Sequence, residues 1–421
     1  MSAIQLATQK ELADQPADLE KGIRPTPRLE VSAGLAYPGR SVSIYEPRHA
    51  FGLIDELIHL SERSIERNIF YDPRFLVPAM PRLEDRRVRL MVIRDERADR
   101  SRLRLLLPFS VERVGLFARV QVMRVWSHPF GPLGTLPLDG DDPVGTLKSL
   151  VTTLAGSELE FPDILVFPDV RIEGGMAAAV KQCADELHLP IKVVNRFSRA
   201  ALTPGGGARY AIQANLSGKR LRELKRGRRR LESFGSVKVE IAREANAFRI
   251  ALEDFFILEA SGWKGRARSA LTSDRYRAAF AREALNALAE KDRARIFTLR
   301  LDGEAIASIV MLVDGGDVYA WKSAYDERYA KTSPGQQIVA EATRSLLADP
   351  TIRRADSCAM PDHFVMNRFW RDRLEIGTIV LGLKQEAGAA VDAVGRSIEQ
   401  SKRTANRVRL MREAILSTFG R

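Results

Sequence analysis

The 421-residue sequence predicts an α/β (α+β) fold of two similarly built halves, each a mixed, mostly antiparallel sheet flanked by helices, with a C-terminal helical tail. Three observations predict it. Apolar segments of strand length at 294–300, 305–313 and 317–322 follow one another across the polar turns Asp302-Gly303 and Asp314-Gly315-Gly316, a hairpin signature. An earlier helical stretch at 53–65, followed by strands at 87–93, 103–108 and 120–126, repeats that plan without repeating the residues. Between them, Thr203-Pro204-Gly205-Gly206-Gly207 disfavours helix and strand alike.

The length exceeds what a single core comfortably fills, and 45% apolar with 29% charged residues is a globular composition. The expected division is a flexible arm at 1–40, a first half at 41–203, a second half at 208–384 and a helical basic tail at 385–421. The arm carries scattered charge, Pro25 and Pro27, without periodicity. No apolar run is long enough to span a membrane, and the polar start has no signal-peptide core, so the expected location is the cytoplasm. With only Cys183 and Cys358, and five histidines without ligand spacing, neither a disulfide scaffold nor a metal is expected. A net charge of +12 favours anionic partners: coenzyme A, nucleotide-sugars, nucleic acids or acidic lipid surfaces.

In chain order, the pattern becomes regular at Val42-Ser43-Ile44, and the proline and glycine density of 128–134 predicts an irregular loop. A basic helix follows the glycine run, with Leu221, Leu224, Leu231 and Phe234 on one side, positive charge opposite, and Gly235 as its stop. Ser261-Gly262-Trp263-Lys264-Gly265 reads as a turn between two helices that either covers the core or faces a ligand. On the strand at 317–323, alternation places Tyr319, Trp321 and Ser323 on one face and Ala320, Lys322 and Ala324 on the other. The strand runs through Tyr325-Asp326 into Ser333-Pro334-Gly335-Gln336-Gln337, where Ser333 and Gln336 fit a capping box and Pro334 a first-turn position. Such a helix start can favour an anion. The last segment carries Val391, Val394, Ile398, Ala405, Val408, Met411 and Ile415 on one helical stripe, suited to packing on the body or to a second subunit.

A meander feeding an anion-facing helix resembles the GNAT superfamily of acyl-CoA N-acyltransferases. More closely, Ser261-Gly262-Trp263-Lys264-Gly265, Trp321-Lys322 with Tyr325-Asp326, and Ser333-Pro334-Gly335 resemble the CelD-like acetyltransferases of bacterial polysaccharide biosynthesis, over about 217–384. The resemblance implies two GNAT-like halves and an acetyl-CoA or other acyl-CoA co-substrate held by Trp321, Ser333, Gly335, Gln336 and Gln337. It implies an acceptor that is a small molecule or glycan precursor, bound near Trp263, Lys264, Arg228 and Trp370. The usual pyrophosphate loop is reduced here to its last glycine, Gly335, and residues 367–377 resemble the final GNAT helix, in which Trp370 stands where the family often has a thiolate-protonating tyrosine. Candidates for proton transfer are Lys322, Tyr325, Asp326 and His363. Two other readings fit the same features: a Fem-type transferase using aminoacyl-tRNA, which alone would bring in nucleic acid, and a non-enzymatic anion-binding component of polysaccharide assembly. Peripheral contact with an anionic membrane and self-association through the tail complete the expected partners.

Overall fold

The computed structural model describes residues 29–34, 39–83, 87–97, 100–115, 119–128, 130–156, 160–204 and 216–419. The first half contributes β1 (Leu29–Gly34), β2 (Arg40–Tyr45), α1 (Ile54–Arg63), α2 (Pro73–Ala79), β3 (Arg89–Arg97), β4 (Arg100–Val114), β5 (Val120–Val125), α3 (Pro143–Ala155), β6 (Ile164–Arg171), α4 (Gly175–Glu186) and β7 (Ile191–Leu202). The second contributes α5 (Gly218–Glu232), β8 (Val237–Ala242), α6 (Ala245–Ser261), α7 (Trp263–Arg266), α8 (Arg275–Ala289), β9 (Ala294–Leu301), β10 (Glu304–Asp314), β11 (Asp317–Tyr325), α9 (Pro334–Ala348), β12 (Arg354–Asp356), α10 (Met366–Phe369), β13 (Asp372–Gly382) and α11 (Gly388–Phe419).

All thirteen strands form one mixed sheet in the order β1-β2-β3-β4-β5-β6-β13-β7-β12-β11-β10-β9-β8. The expected meanders are present as antiparallel runs at both ends, β1 to β5 and β8 to β11. The halves exchange strands at the centre. β13, late in the chain, lies antiparallel between β6 and β7, and β7 in turn pairs with β12.

Strand side chains alternate between two layers, as a period of two requires. Val310 and Leu312 of β10 join the core under α6 and α8, whereas Ile309 and Met311 join the core under α5 and α9. Likewise Leu165 and Phe167 of β6 face α3 and α4, while Ile164 and Val166 meet Val391, Val394 and Ile398 of α11. The first turns of the tail therefore cover the body; its side chains from residue 405 onward lie outside the described residues, as do 1–28 and the glycine run 205–207.

Several local expectations differ from the structure. Leu29–Gly34, placed in the arm, is the edge strand β1 paired with β2. A final helix over 367–377 is not formed: α10 is four residues long, and Asp372–Gly382 is a strand because its β-branched Ile376, Thr378, Ile379 and Val380 fit a pleated, buried surface. α5 ends at Glu232 with Ser233 as its right-handed cap, and Gly235 instead leaves room for the Asp302 carboxylate, whose Oδ2 would lie 2.0 Å from an added Cβ.

Buried ion pairs tie the halves together. Arg171 of β6, 4% exposed, donates to Glu66 at 3.2 Å, to Asp317 of β11 at 3.3 Å and to the Tyr319 hydroxyl at 3.1 Å. Arg199 of β7 pairs with Asp356 of β12, and Arg293 bridges Asp72 and Asp314. From the irregular loop, Phe130 and Pro132 offer their carbonyls to Trp321 Nε1 and Arg199 Nη1, both at 2.7 Å.

Candidate active site

β11 and β12 are parallel partners only over Asp317–Tyr319 and Arg354–Asp356, after which they diverge. The gap is a cleft of about 460 Å³, walled by 320–325 of β11, Gly335 and Val339 of α9, 357–360 beyond β12, and Trp263, Lys264 and His363 at its rim. Past Tyr319, the β12-facing edge of β11 has no strand partner among the described residues, so its backbone groups, apart from the Ser323 carbonyl that Lys264 engages, are available to something in the cleft.

A bulge inside β11 aims the side chains differently from a regular strand. Val310 pairs with Lys322 and Met311 with Ala320, leaving Trp321 as the extra residue. The expected opposition of Trp321 and Lys322 is therefore absent, and both turn toward α6. Lys322 Nζ lies 3.1 Å from Glu259 Oε1 and 5.1 Å from the Phe130 ring centre, so it is ion-paired and not surrounded by free space. Trp321, 8% exposed, forms the inner wall.

Glu259 is the centre of this charge cluster, and it is absent from the residues expected from sequence. It is 2% exposed; one carboxylate oxygen accepts from Lys322 and, at 3.3 Å, from Lys264, and the other accepts from the Leu271 amide at 2.8 Å. Its position was readable: Leu252, Phe255 and Glu259 share one face of α6, so a carboxylate stands on an otherwise apolar stripe. Lys264 also donates to the Ser323 carbonyl at 2.8 Å. Burial, set against Glu259 and reinforced by Lys322, lowers the Lys264 ammonium from its ordinary value.

Of the other expected proton carriers, His363 lines the rim, where its Nδ1 accepts from the Met366 amide at 3.2 Å. The ring is open to water at its edge, yet surrounding protein lowers its pKa, leaving it neutral near pH 7. Tyr325 is 38% exposed with its ring against Gly335. Asp326 faces away from the cleft: it accepts from the Arg328 amide and side chain, and these bonds outweigh desolvation to hold it below the ordinary carboxylate range. It caps the turn Glu327–Thr332 and is spent as a base. Cys358 lines the cleft, but burial and Asp356 push its thiol well up, so it stays protonated.

The start of α9 differs in detail from a capping box. Ser333 adopts a left-handed conformation (φ 54°, ψ 52°) and its side chain caps nothing; its carbonyl accepts from the Gln336 and Gln337 amides at 3.0 and 3.1 Å. The Gly335 amide is left without an acceptor, with Ser333 and Gln336 beside Arg220 of α5 and Arg368 of α10. Two other expected contacts are not made here. Gln337, 5% exposed, turns away and donates to the Thr332 carbonyl at 2.8 Å, while Arg228 pairs with Glu232 and the Val237 carbonyl; both line a separate groove between α5 and α9. Trp370 has no exposure, and its Nε1 donates to Thr343 Oγ1 at 3.0 Å, which makes it core.

The first half shows what a closed version looks like. Asp142, in the same left-handed conformation before α3 (φ 60°, ψ 51°), accepts from the Gly145 amide at 3.1 Å and is held by Arg40 at 3.3 Å. A carboxylate of the chain itself thus caps the first turn of α3, where at α9 the Ser333 side chain caps nothing.

Residues 218–364 match the family described as acetyltransferase (GNAT) domain. That match, confined to the second half, supports a GNAT domain there and indicates an N-acyltransferase enzyme. Among solved structures, FemX is similar with a TM-score of 0.51 at 10% identity, covering 79% of this chain and 96% of that one. The C-terminal domain of a putative lysylphosphatidylglycerol synthetase from Agrobacterium fabrum has a TM-score of 0.48 at 11% identity, over 81% and 93% of the two chains. A tandem GNAT protein from the clavulanic acid biosynthesis pathway has 0.38 at 9%, over 82% and 99%. No curated protein sequence matches. Among the described residues no helix is long and apolar enough to cross a membrane, and no group of acidic, histidine or cysteine side chains could hold a metal.

Proposed function

We propose that the protein transfers an acyl group, acetyl in the simplest case, from coenzyme A to an amine on a sugar or cell-surface polysaccharide precursor, as its resemblance to the CelD-like acetyltransferases implies. The observation that carries this reading is the opening of the β11–β12 splay onto the uncapped start of α9. The residues present fit a coenzyme A thioester: Gly335 offers a free amide and no side chain, and Arg220 and Arg368 supply the charge that a fuller glycine loop would supply through backbone. When bound, the thioester supplies an activated acyl carbon.

The chain's own residues then have separable tasks. Lys264, whose ammonium burial lowers from its ordinary value, is the proton acceptor for the attacking amine once it has given up its own proton. Lys322 and Glu259 fix its position and the charge around the acceptor. Tyr325, at the edge of the cleft beside Gly335, is the hydroxyl placed to return a proton to the departing thiolate. Trp321 and the Phe130 loop close the inner wall against water.

Thermal unfolding with acetyl-CoA, coenzyme A and a bulk polyanion tests the reading, since a ligand of the native state raises stability by mass action. Selective stabilisation by the first two, with thiol release on adding an amine acceptor, is expected. Stabilisation by aminoacyl-tRNA alone would move the chain to the Fem-type reading. A response to any polyanion alike would leave only an anion-binding scaffold.

A further inference from the structure

We propose that the rim of the cleft docks on an anionic lipid bilayer. Trp263 (56% exposed), Met360 (55%) and Tyr325 (38%) line one opening, and Phe364 (58%) is exposed next to His363 of its rim. Large side chains left outward are individually unremarkable, but three at one opening with a fourth next to its rim form a patch that wants a partner. Cations adjoin them. Arg368 stacks its guanidinium over the Phe364 ring and shares a recess with Arg220 of α5.

Beyond Arg220, α5 continues the positive surface. Of its many basic side chains, Arg228 alone forms an ion pair among the described residues, whereas arginines elsewhere, such as Arg40, Arg102, Arg282 and Arg300, are matched to carboxylates. Charge left unneutralised on one helix is complementary to a surface of opposite sign.

A bilayer suits this combination better than a folded protein or a nucleic acid. Separate projecting side chains ringing a hole enter the headgroup layer one by one, and tryptophan favours that boundary. Cations beside them meet anionic headgroups within a Debye length. Nucleic acid would use the cations and leave the aromatic rim uncovered. The orientation puts the cleft mouth against the lipid, so the acceptor amine would be carried on a lipid-linked molecule; that last step rests on the acyl-transfer reading, while docking does not.

The sequence contains four tryptophans. Trp126, Trp321 and Trp370 are buried, so a change in exposed tryptophan emission reports Trp263. With the full chain, phosphatidylglycerol-containing vesicles should shift that emission to the blue and sediment the protein, whereas pure phosphatidylcholine vesicles should do neither. Brominated acyl chains should quench it. Replacing Arg220, Arg222 and Arg226 by Gln should weaken vesicle binding by about a hundredfold, at a few-fold per cation. Trp263→Ser with Phe364→Ser should abolish sedimentation; if that variant does not fold, quenching in the unaltered protein decides alone. Binding to anionic vesicles without a blue shift or quenching would overturn the proposal, as would tRNA displacing the vesicles at lower concentration. Failure to bind acetyl-CoA, by contrast, would remove the acyl-transfer reading and leave vesicle binding intact.

Discussion

Glu259 and the two lysines it holds set the chemistry that each side chain can do. Because Lys264 must be neutral to accept a proton, kcat/KM should rise with pH through its pKa, and burial brings that limb below the ordinary 10.5. His363 is already neutral above an ordinary 6.5, so His363→Gln should leave the alkaline limb in place. Lys264→Met should lower kcat by about a hundredfold, whereas Lys322→Met should raise the acceptor KM and spare saturated turnover. A profile without an alkaline limb would exclude Lys264 as the base. Glu259→Gln leaves two lysines without their carboxylate and should cost about 3 kcal/mol in urea unfolding. Trp263, Lys264 and His363 were legible as candidates because each stands near a glycine or proline that interrupts the longer elements, and all three border the cleft. Glu259 was passed over as one carboxylate within an apolar helix, and Trp370 was misplaced because the pairing that makes 372–382 a strand comes from β6 and β7, far away in sequence.

At the level of elements, the hairpins β9 to β11 were readable because their turns and alternation are local, and their observed limits differ from the expected ones by a few residues at most. The bulge at Trp321 was not, since it exists only in the register with β10. Nor was the left-handed Ser333, which converts a capping-box sequence into an open helix start. An added Cβ at Gly335 would sit 3.2 Å from the Tyr325 ring, at the wall of the cleft proposed to take the cofactor. Gly335→Trp should therefore abolish coenzyme A binding by calorimetry in a variant with an unchanged circular dichroism spectrum. Unchanged affinity would show that the cofactor lies elsewhere. Replacing Arg228, Arg229 and Arg230 by Gln should weaken anion binding yet change stability by about 1 kcal/mol at most, because among the described residues Arg228 alone of the three is ion-paired, to a neighbour on the same helix, and its other bond is to the Val237 carbonyl. A triple variant that unfolds would make the α5 charges structural.

Across the whole molecule, the division at 203–207 separates sequence more cleanly than it separates structure. The sheet passes through it, and Arg171 crosses it with Glu66 on one side and Asp317 on the other. Arg171→Ala should lose about 3 kcal/mol in denaturant unfolding, because it leaves Glu66 without its cation in a buried place while Asp317 keeps Arg354. The placement of β13 also fixes when the fold can be completed. Synthesis delivers β6 and β7 long before the strand that joins them, so a nascent first half carries two unsatisfied β edges until residues 372–382 emerge. Such late, long-range pairing is slow to form and exposed to misassociation while it waits. A ribosome stalled before residue 372 should therefore hold a chain that chaperones and proteases recognise as unfinished, and its first half should acquire native protection only once the end of the message has been read.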